Sequence, residues 1–586
     1  MTSYTAPLRD IAFTLNDLGL LERVAALPGC EEVNDELAAS IIEEAGKLAR
    51  DVLAPLNASG DQQGATVENG VVRTANGFKD AYRAFVDGGW PSIPFDPAFG
   101  GHGLPWLVTA AAMETWAAAN TAWSLGPILT MGAVELLSAH GSEQQKATYL
   151  PKLVSGEWTG TMNLTEPQAG SDLGALKSRA VPDGDCYRIT GQKIFITYGE
   201  HDYTDNIIHM VLARTPNAPA GSKGISLFIV PKFLVNADGS PGRRNDLRCV
   251  SLEHKLGIHA SPTCVMSYGD NDGAIGYLVG EENEGLRCMF TMMNNARMNI
   301  GLSGLAIAER AYQQALDYAR NRVQFGPIIK HPDIRRILMT MKAQTEAMRA
   351  FAYDAAASLD IAKRHPDKTT RQAAQTRIDL LTPVVKAWCS DAGVEVASLG
   401  VQVHGGMGYI EETGAAQHYR DARIAPIYEG TNGIQAIDLV TRKVLRDGGA
   451  AARTYIAELR ADVASLDAAK LGPAADLPGR MGHAIDALEK ATNWLVESGA
   501  RDQAAALAGA SPYLRLFGTV AGGAMMTKAA GVAAARLAEN GDDRFYGAKC
   551  ATAGFYGAHI LPQANALADT VINGAPATLV LDDEDF

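Results

Sequence analysis

Cysteine is sparse and unpaired in this chain. Seven cysteines are scattered through 586 residues, none in a CxxC pair. That pattern argues against a disulfide framework or a zinc ligand set, and it suits a reducing compartment. Positive charge is also short: 52 Lys and Arg stand against 66 Asp and Glu, a net −14. A nucleic-acid binder needs a basic surface, so that class is disfavoured. An anionic ligand would need a local basic pocket. Residues 1–19 hold no basic stretch followed by an apolar core, so no secretory signal is expected. No uncharged apolar run of membrane-spanning length stands out, and neither repeats nor low-complexity tracts are seen. The expectation is a cytoplasmic protein without a membrane span.

What is present is enough apolar material, 47% of residues, for a large core, in a chain long enough for several domains. Residues 1–158 read as mainly helical. Ile41, Ile42, Ala45, Leu48, Ala49 and Val52 share one helical face, and Pro55 is expected to stop that run. An Ala-rich helix is expected from Leu107 to Trp123. The Gly-Pro-rich stretch 94–105, with Gly100, Gly101 and Gly103, reads as a plain turn rather than a phosphate cradle. From 159 to 280 short β-rich runs alternate with Gly, Asp, Asn and Pro, which predicts a small barrel or sandwich. Long helical stretches return over 281–445, including 332–364 and 370–401, and predict a four-helix bundle. A further helical domain is expected over 446–586, ending in an acidic, solvated tail. The class is α+β, mostly α.

One stretch stands out for its chemistry. In Arg420 to Val440, RDARIAPIYEGTNGIQAIDLV, Glu429 sits on a Gly-punctuated turn between an apolar segment and a helix start. Thr431 and Asn432 are good N-caps. A carboxylate among apolar groups loses solvation, its pKa rises, and it can serve as a general base. A loop glutamate capping a helix fits the same local pattern.

Five other segments carry candidate ligand groups. MNLTEPQAGSD (162–172) sets hydroxyls and backbone amides on a Pro/Gly turn, as the polar edges of a flat ring system and phosphate oxygens would need. An ordinary tight turn reads the same way. KIFIT (193–197) reads as a strand. In RNRVQFG (320–326), Arg322 offers a fork for phosphate and Phe325 a stacking face, or the segment is a basic helix end. QVHGGMGY (402–409) allows close backbone approach at Gly405, Gly406 and Gly408. Its His404 reads as a satisfied structural histidine. Asn294-Asn295-Ala296-Arg297 opens the bundle.

IYEGTNGIQ resembles the segment around the catalytic glutamate of the acyl-CoA dehydrogenases. The other segments resemble that family in the same order, over roughly 160–440. The helices–β module–bundle order is also similar to that family, here with an added C-terminal helical domain.

The resemblance implies an FAD enzyme. Glu429 would remove the α-proton of an acyl-CoA thioester while the β-hydrogen leaves as hydride to flavin N5. Met162, Leu164, Thr165, Gly170 and Ser171 would hold the flavin, with Leu164 and Thr165 at the pyrimidine edge and Ser171 at the pyrophosphate. Phe195 would cover the ring and Thr197 would bond N5; the family often has Trp at the position of Phe195. Arg322, Gln324 and Phe325, with Gln402, Gly405 and Gly406, would reach the FAD of a neighbouring subunit, which implies a homo-oligomer, expected as a homodimer. Thr431 joins the cofactor set. Ser171, Arg297 and Gly430 join the substrate set, although Asn294 replaces an acidic residue common beside Arg297. No metal is implied.

An electron-transfer flavoprotein would be the electron acceptor. The added domain draws the likeness to the branch that converts 3-methylmercaptopropionyl-CoA to 3-methylthioacryloyl-CoA in dimethylsulfoniopropionate degradation. Three alternatives stay open: a medium- or long-chain fatty acyl-CoA dehydrogenase, an acyl-CoA oxidase, and a flavoprotein with a binding or scaffolding role.

Overall fold

The β-rich stretch forms an eight-stranded sheet and a small two-stranded one. The computed structural model describes residues 4–499, 501–541 and 543–586. The first three residues, part of the N-terminal reading, and Ala500, at the end of one expected helical segment, lie outside them. Two compact units form from interleaved stretches: Ala45–Leu104 with Ala119–Asn299, and Met1–Glu44 with Pro105–Ala118 and Ile300–Phe586.

The first of these holds the sheet. Its eight strands are β1 (Thr159–Asn163), β2 (Arg179–Asp183), β3 (Cys186–Thr197), β4 (Ile207–Ala213), β5 (Ser226–Pro231), β6 (Leu247–Leu252), β7 (Thr263–Tyr268) and β8 (Ala274–Val279). Their order is β6-β7-β3-β8-β5-β4-β1, with β2 paired to β3. All pairs are antiparallel except β1 with β4. Ile189, Ile196, Val211, Phe228, Val230, Cys264 and Met266 form the inner core.

The β3–β7 ladder slips between Ile196↔Cys264 and Lys193↔Met266. Two residues of β3, Ile194 and Phe195, there oppose one of β7. Such a bulge bends a strand and re-aims a side chain.

The Ala-rich helix expected over 107–123 is two helices. α1 (Trp106–Ala119) ends before Asn120, whose side chain caps α2 (Thr121–His140) by accepting from the Trp123 N–H at 3.1 Å, and α3 (Glu143–Val154) follows. α2 corrects a second expectation, because it has the length and the mean hydropathy, 1.2, of a membrane span. That window is 83% buried in the protein, so its apolarity serves packing. A Cβ on Gly160 of β1 would come within 2.4 Å of Ala133 on α2, so only glycine lets helix and strand approach this closely. The helical run through Val52 ends at Leu53, just before Pro55, and Pro55 in turn opens the next helix, Pro55–Gln63. At that first position its missing N–H loses no hydrogen bond.

The other unit is helical. α4 (Gly285–Asn321), α5 (Pro332–Arg364) and α6 (Lys368–His404) are the long helices of the expected bundle. The fourth member is segmented: Ala415–Ala422, then α7 (Asn432–Asp438), continued by Leu439–Leu445. From Ile300 onward α4 crosses α6 backbone to backbone. A Cβ on Gly304 would lie 2.4 Å from the Cys389 carbonyl oxygen, and one on Gly393 2.6 Å from that of Gly304.

α1, α4 and α5 meet around a buried guanidinium. Arg349 donates to Glu114 at 2.7 Å and Glu309 at 2.6 Å, and the Tyr353 hydroxyl donates to Glu114 at 2.6 Å. Both carboxylates and the guanidinium are out of solvent.

The added C-terminal block is α8 (Ala450–Ala464), α9 (Leu477–Gly499), α10 (Ala510–Asn540), α11 (Arg544–His559) and α12 (Gln563–Asn573). It seats on α6 at Trp388. Cβ atoms on Gly518 and Gly522 of α10 would lie 2.2 and 2.6 Å from that indole.

Arg349→Met should be strongly destabilising, because it strands two carboxylates without their shared cation, at a cost of about 3–5 kcal/mol. A denaturant or thermal melt of the purified variant should show a clear drop. A midpoint equal to wild type would show that the trio does not hold the helices.

Candidate active site

Between the short helix Ala415–Ala422 and α7 the chain turns sharply, and Glu429 stands on that turn. Its backbone is left-handed, with φ 58°, followed by Gly430 at φ 85°. A non-glycine residue there is strained by about 1–3 kcal/mol and persists only where its surroundings impose it. The surroundings are specific. Gln435 Nε2 donates to the carbonyls of Glu429 and Gly430 at 3.2 and 3.1 Å. Lys386 Nζ, fully buried on α6, donates to Gly430 O at 2.9 Å and to Asn432 Oδ1 at 2.8 Å. Asn432 Nδ2 in turn donates to Asp391 at 2.7 Å and to Ser390 Oγ at 3.0 Å. Thr431 caps α7, accepting from the Ile434 N–H at 3.2 Å. The Glu429 side chain is half-buried. Burial, with the nearby carboxylates of Glu429 and Asp421, pushes the Tyr428 phenol well up.

Sequence reasoning singled out Glu429, Gly430 and Thr431 but missed Lys386 and Gln435. The available signal was a lone lysine inside the apolar run LLTPVVKAWC.

In the sheet unit, the 162–172 turn is bolted to β3 by a buried ion pair. Lys193 Nζ donates to Glu166 Oε1 at 2.8 Å and to Leu164 O at 2.9 Å. Glu166 also accepts from the backbone N–H of Lys177 and of Ser178, and the Ile194 N–H reaches Thr165 O at 2.9 Å. Burial works against the Glu166 charge, yet the Lys193 ammonium and these hydrogen bonds bring its carboxyl down to about 2. Burial lowers Lys193 to about 8, with Glu166 pulling the other way. Both are therefore charged at neutral pH.

The bulge places Phe195 at φ 60° with the residue 58% exposed. It lies beside the Thr165 turn, because the preceding residue bonds to that turn. Met162 and Leu164 are buried, Thr165 and Thr197 half-buried, and Gly170 and Ser171 exposed.

All but Arg297 of the remaining expected residues fall into two groups in the helical unit; Arg297 belongs to the sheet unit. Residues 322–328 form a tight loop, closed by Gln324 N–H to Gly326 O at 2.9 Å and Ile328 N–H to Arg322 O at 3.0 Å. Phe325, at φ 53°, stands at its tip wholly exposed, with Arg322 and Gln324 exposed beside it. Gln402, Gly405 and Gly406 are also exposed, and a Cβ on either glycine would meet open space. His404 is buried, shares a hydrogen bond with Gly400 O at 2.7 Å, and is lowered by that burial, as a structural histidine is. Arg297 is buried, 3.3 Å from Asn294 Oδ1, with its guanidinium over Phe290.

Comparison with known proteins decides the family. Acyl-CoA dehydrogenase N-terminal, middle and C-terminal domain models match residues 36–157, 161–270 and 283–445, and an acetyl-CoA dehydrogenase C-terminal-like model matches 455–582. The chain belongs to the acyl-CoA dehydrogenase family. It is thus an FAD-dependent oxidoreductase.

Among its relatives is the 3-methylmercaptopropionyl-CoA dehydrogenase of Ruegeria pomeroyi, 49% identical over 96% of this chain and 97% of that one. A butyryl-CoA dehydrogenase of Syntrophomonas wolfei is 35% identical over 96% and 95%. The fold matches an acyl-CoA dehydrogenase of Bacillus anthracis solved with FAD, at TM-score 0.75 and 20% identity over 98% of this chain and 93% of that one.

The residues present fit a flavin. The open Phe195 ring offers a face for a flat ring system, and the adjacent turn offers the Thr165 and Ser171 hydroxyls. Gly170 leaves space, since a Cβ there would meet nothing within 4 Å.

The Glu166 shift carries a signed pH dependence. A carboxyl held below its unfolded value contributes stability that is fully present above about 4.5 and is lost as pH falls towards 2. Unfolding midpoints measured at pH 7, 4.5 and 3 should fall less steeply for Glu166→Gln than for wild type. Equal slopes would remove Glu166 as a source of acid sensitivity.

Proposed function

We propose that this enzyme dehydrogenates a short acyl-CoA thioester across Cα–Cβ, converting 3-methylmercaptopropionyl-CoA to 3-methylthioacryloyl-CoA, with Glu429 as the base. The observation that carries the base assignment is the left-handed Glu429 backbone, held against its own strain by buried side chains. Strain that is maintained rather than relaxed concentrates at functional sites. The substrate assignment rests on the relative that is 49% identical along nearly the whole chain.

A thioester carbonyl acidifies its α-hydrogen, and the Glu429 carboxylate takes that proton. The turn limits where the carboxylate can point, and such positioning supplies much of a proton-transfer rate. Negative charge grows on the thioester oxygen and needs donors; the Glu429 backbone amide is assigned to it by the family resemblance. FAD, when bound, supplies the hydride acceptor for the β-hydrogen. Met162, Leu164, Thr165, Gly170, Ser171, Phe195, Thr197 and Thr431 hold that cofactor. Gly430, Ser171 and Arg297 serve the substrate.

In the same reading Arg322, Gln324, Phe325, Gln402, Gly405 and Gly406 reach the FAD of a second copy in a homodimer. A wholly exposed phenylalanine on a left-handed loop tip supports that role, because a side chain so placed has nothing to pack on within its own loop. The reduced enzyme passes its electrons to an electron-transfer flavoprotein in the cytoplasm. The butyryl-CoA dehydrogenase relative favours a second reading, a short straight-chain fatty acyl substrate.

Glu429→Gln should keep bound flavin and lose about 10²–10⁴-fold in turnover with an artificial electron acceptor. An active Gln variant would move the base elsewhere. Arg322→Ala should purify with less FAD, read from the ratio of flavin to protein absorbance; full occupancy would reject its role. Turnover of the wild type on methylmercaptopropionyl-, butyryl-, octanoyl- and palmitoyl-CoA separates the substrate readings, and a preference for palmitoyl-CoA would overturn both short-chain ones.

A further inference from the structure

Four residues of α6 converge on the turn that carries Glu429. Lys386 is fully buried, and its ammonium sits between Gly430 O at 2.9 Å and Asn432 Oδ1 at 2.8 Å. Asn432 Nδ2 is wrapped by Ala387 O at 3.2 Å, Ser390 Oγ at 3.0 Å and Asp391 Oδ1 at 2.7 Å. A buried ammonium is costly unless its hydrogens meet oxygen. Here it meets two oxygens of the residues that directly follow Glu429. Gln435 Nε2 takes the Glu429 and Gly430 carbonyls together, at 3.2 and 3.1 Å.

The two carbonyls at 429 and 430 are thus drawn to one side by charge-assisted and amide donors. In a trans peptide the C=O and the following N–H point oppositely. Fixing Glu429 O therefore also fixes the Gly430 N–H, which points to the other side of that peptide. α6 itself is backed by the C-terminal block through Trp388, two residues from Lys386, held between Gly518 and Gly522.

We propose that Lys386 and Asn432 are positioning residues for the proton-abstracting carboxylate: they hold the Glu429–Gly430 backbone in its left-handed form, so that proton removal, rather than substrate affinity or flavin binding, depends on them. This deepens the reading of Glu429 as the base and rests on it. Neither residue contacts the reacting atoms in this account. Lys386 acts through the Gly430 carbonyl and the Asn432 side chain, and Asn432 through the chain that follows the base.

The test uses the holoenzyme and two readouts. One is steady-state kcat and KM with the preferred acyl-CoA. The other is α-hydrogen exchange of acetyl-CoA in deuterated water, followed by mass spectrometry. Acetyl-CoA has α-hydrogens and no β-carbon, so its exchange reports proton abstraction without hydride transfer. Lys386→Met should retain flavin and leave KM within about threefold, while kcat and the exchange rate both fall about a hundredfold, the scale of a 1 Å misplacement. Asn432→Asp, which keeps the oxygen facing Lys386, should restore more exchange than Asn432→Ala.

Unchanged exchange in Lys386→Met would overturn the proposal, as would losses that merely track reduced flavin content. If Lys386→Met does not fold, the partly exposed Asn432 pair decides by the same two readouts, and equal exchange in Ala and Asp variants counts against it. The two readings fail separately. Full exchange in Glu429→Gln removes the base itself, whereas an inert Glu429→Gln beside a fully active Lys386→Met removes only the positioning role.

Discussion

A cation taken out of water must be surrounded by oxygen, and this requirement organises the chain at three places. Arg349 gathers Glu114 and Glu309 and so ties α1 and α4 to α5. Lys193 gathers Glu166 and the Leu164 carbonyl and so ties an irregular turn to a strand. Lys386 gathers a backbone carbonyl and an amide oxygen and so ties another irregular turn to a helix. None of these arrangements is the most stabilising use of its volume, since well-packed apolar groups can do as well or better. What they provide is direction. An apolar contact tolerates sliding, whereas an ammonium between two oxygens fixes where a loop's carbonyls point. Two of the three hold turns rather than cores, and both turns carry the candidate chemistry.

Backbone strain follows the same division. Among the described residues, eight non-glycine positions have positive φ, and three are asparagines, for which that region is least unfavourable. Of the rest, Phe195, Phe325 and Glu429 are candidate site residues. Each uses the left-handed kink differently. Phe195 is thrown outward by a bulge in β3, Phe325 crowns a loop closed by backbone hydrogen bonds, and Glu429 is held by side chains from α6 and α7. A bulky residue adopts this conformation only where local bonds over-determine it. The common outcome is an aromatic ring or a carboxylate that leaves its element at an angle regular structure would not allow.

Much of this was legible in the sequence, and the part that was not has a physical reason. The change from helical to two-residue periodicity near 159 and back near 281 reports burial on one face of each element, which is a local property. The chemical motifs are local too, so Glu429, the 162–172 turn and the glycines at 405 and 406 could be named without coordinates. Lys386 and Asn432 are 46 residues apart, and nothing in either neighbourhood says that they touch. Asn120 divides one apolar run because a cap outweighs periodicity there, a balance set by one 3.1 Å hydrogen bond. α2 passes for a membrane span because a helix packed on most sides and a helix in lipid ask for the same residues. The interleaving of the two compact units was invisible for the same reason as the lysine: it is a property of long-range contacts.

The added C-terminal helices bear on the same turn through α6. Gly518 and Gly522 lie one helical turn apart on α10, and together they make room for one indole. Any side chain at either position would force Trp388, and with it α6, to shift. α6 is held on another side by the backbone crossing at Gly304 and Gly393, where no atom can be added without a clash. A helix gripped by glycine contacts on two sides has little freedom to rotate or slide. Lys386 and Ser390 flank the Trp388 contact in sequence, with Ala387, Trp388 and Cys389 between them. The stiffness of α6 is therefore what lets a lysine amine, at the end of a flexible four-carbon stem, serve as a fixed point for the Glu429 turn.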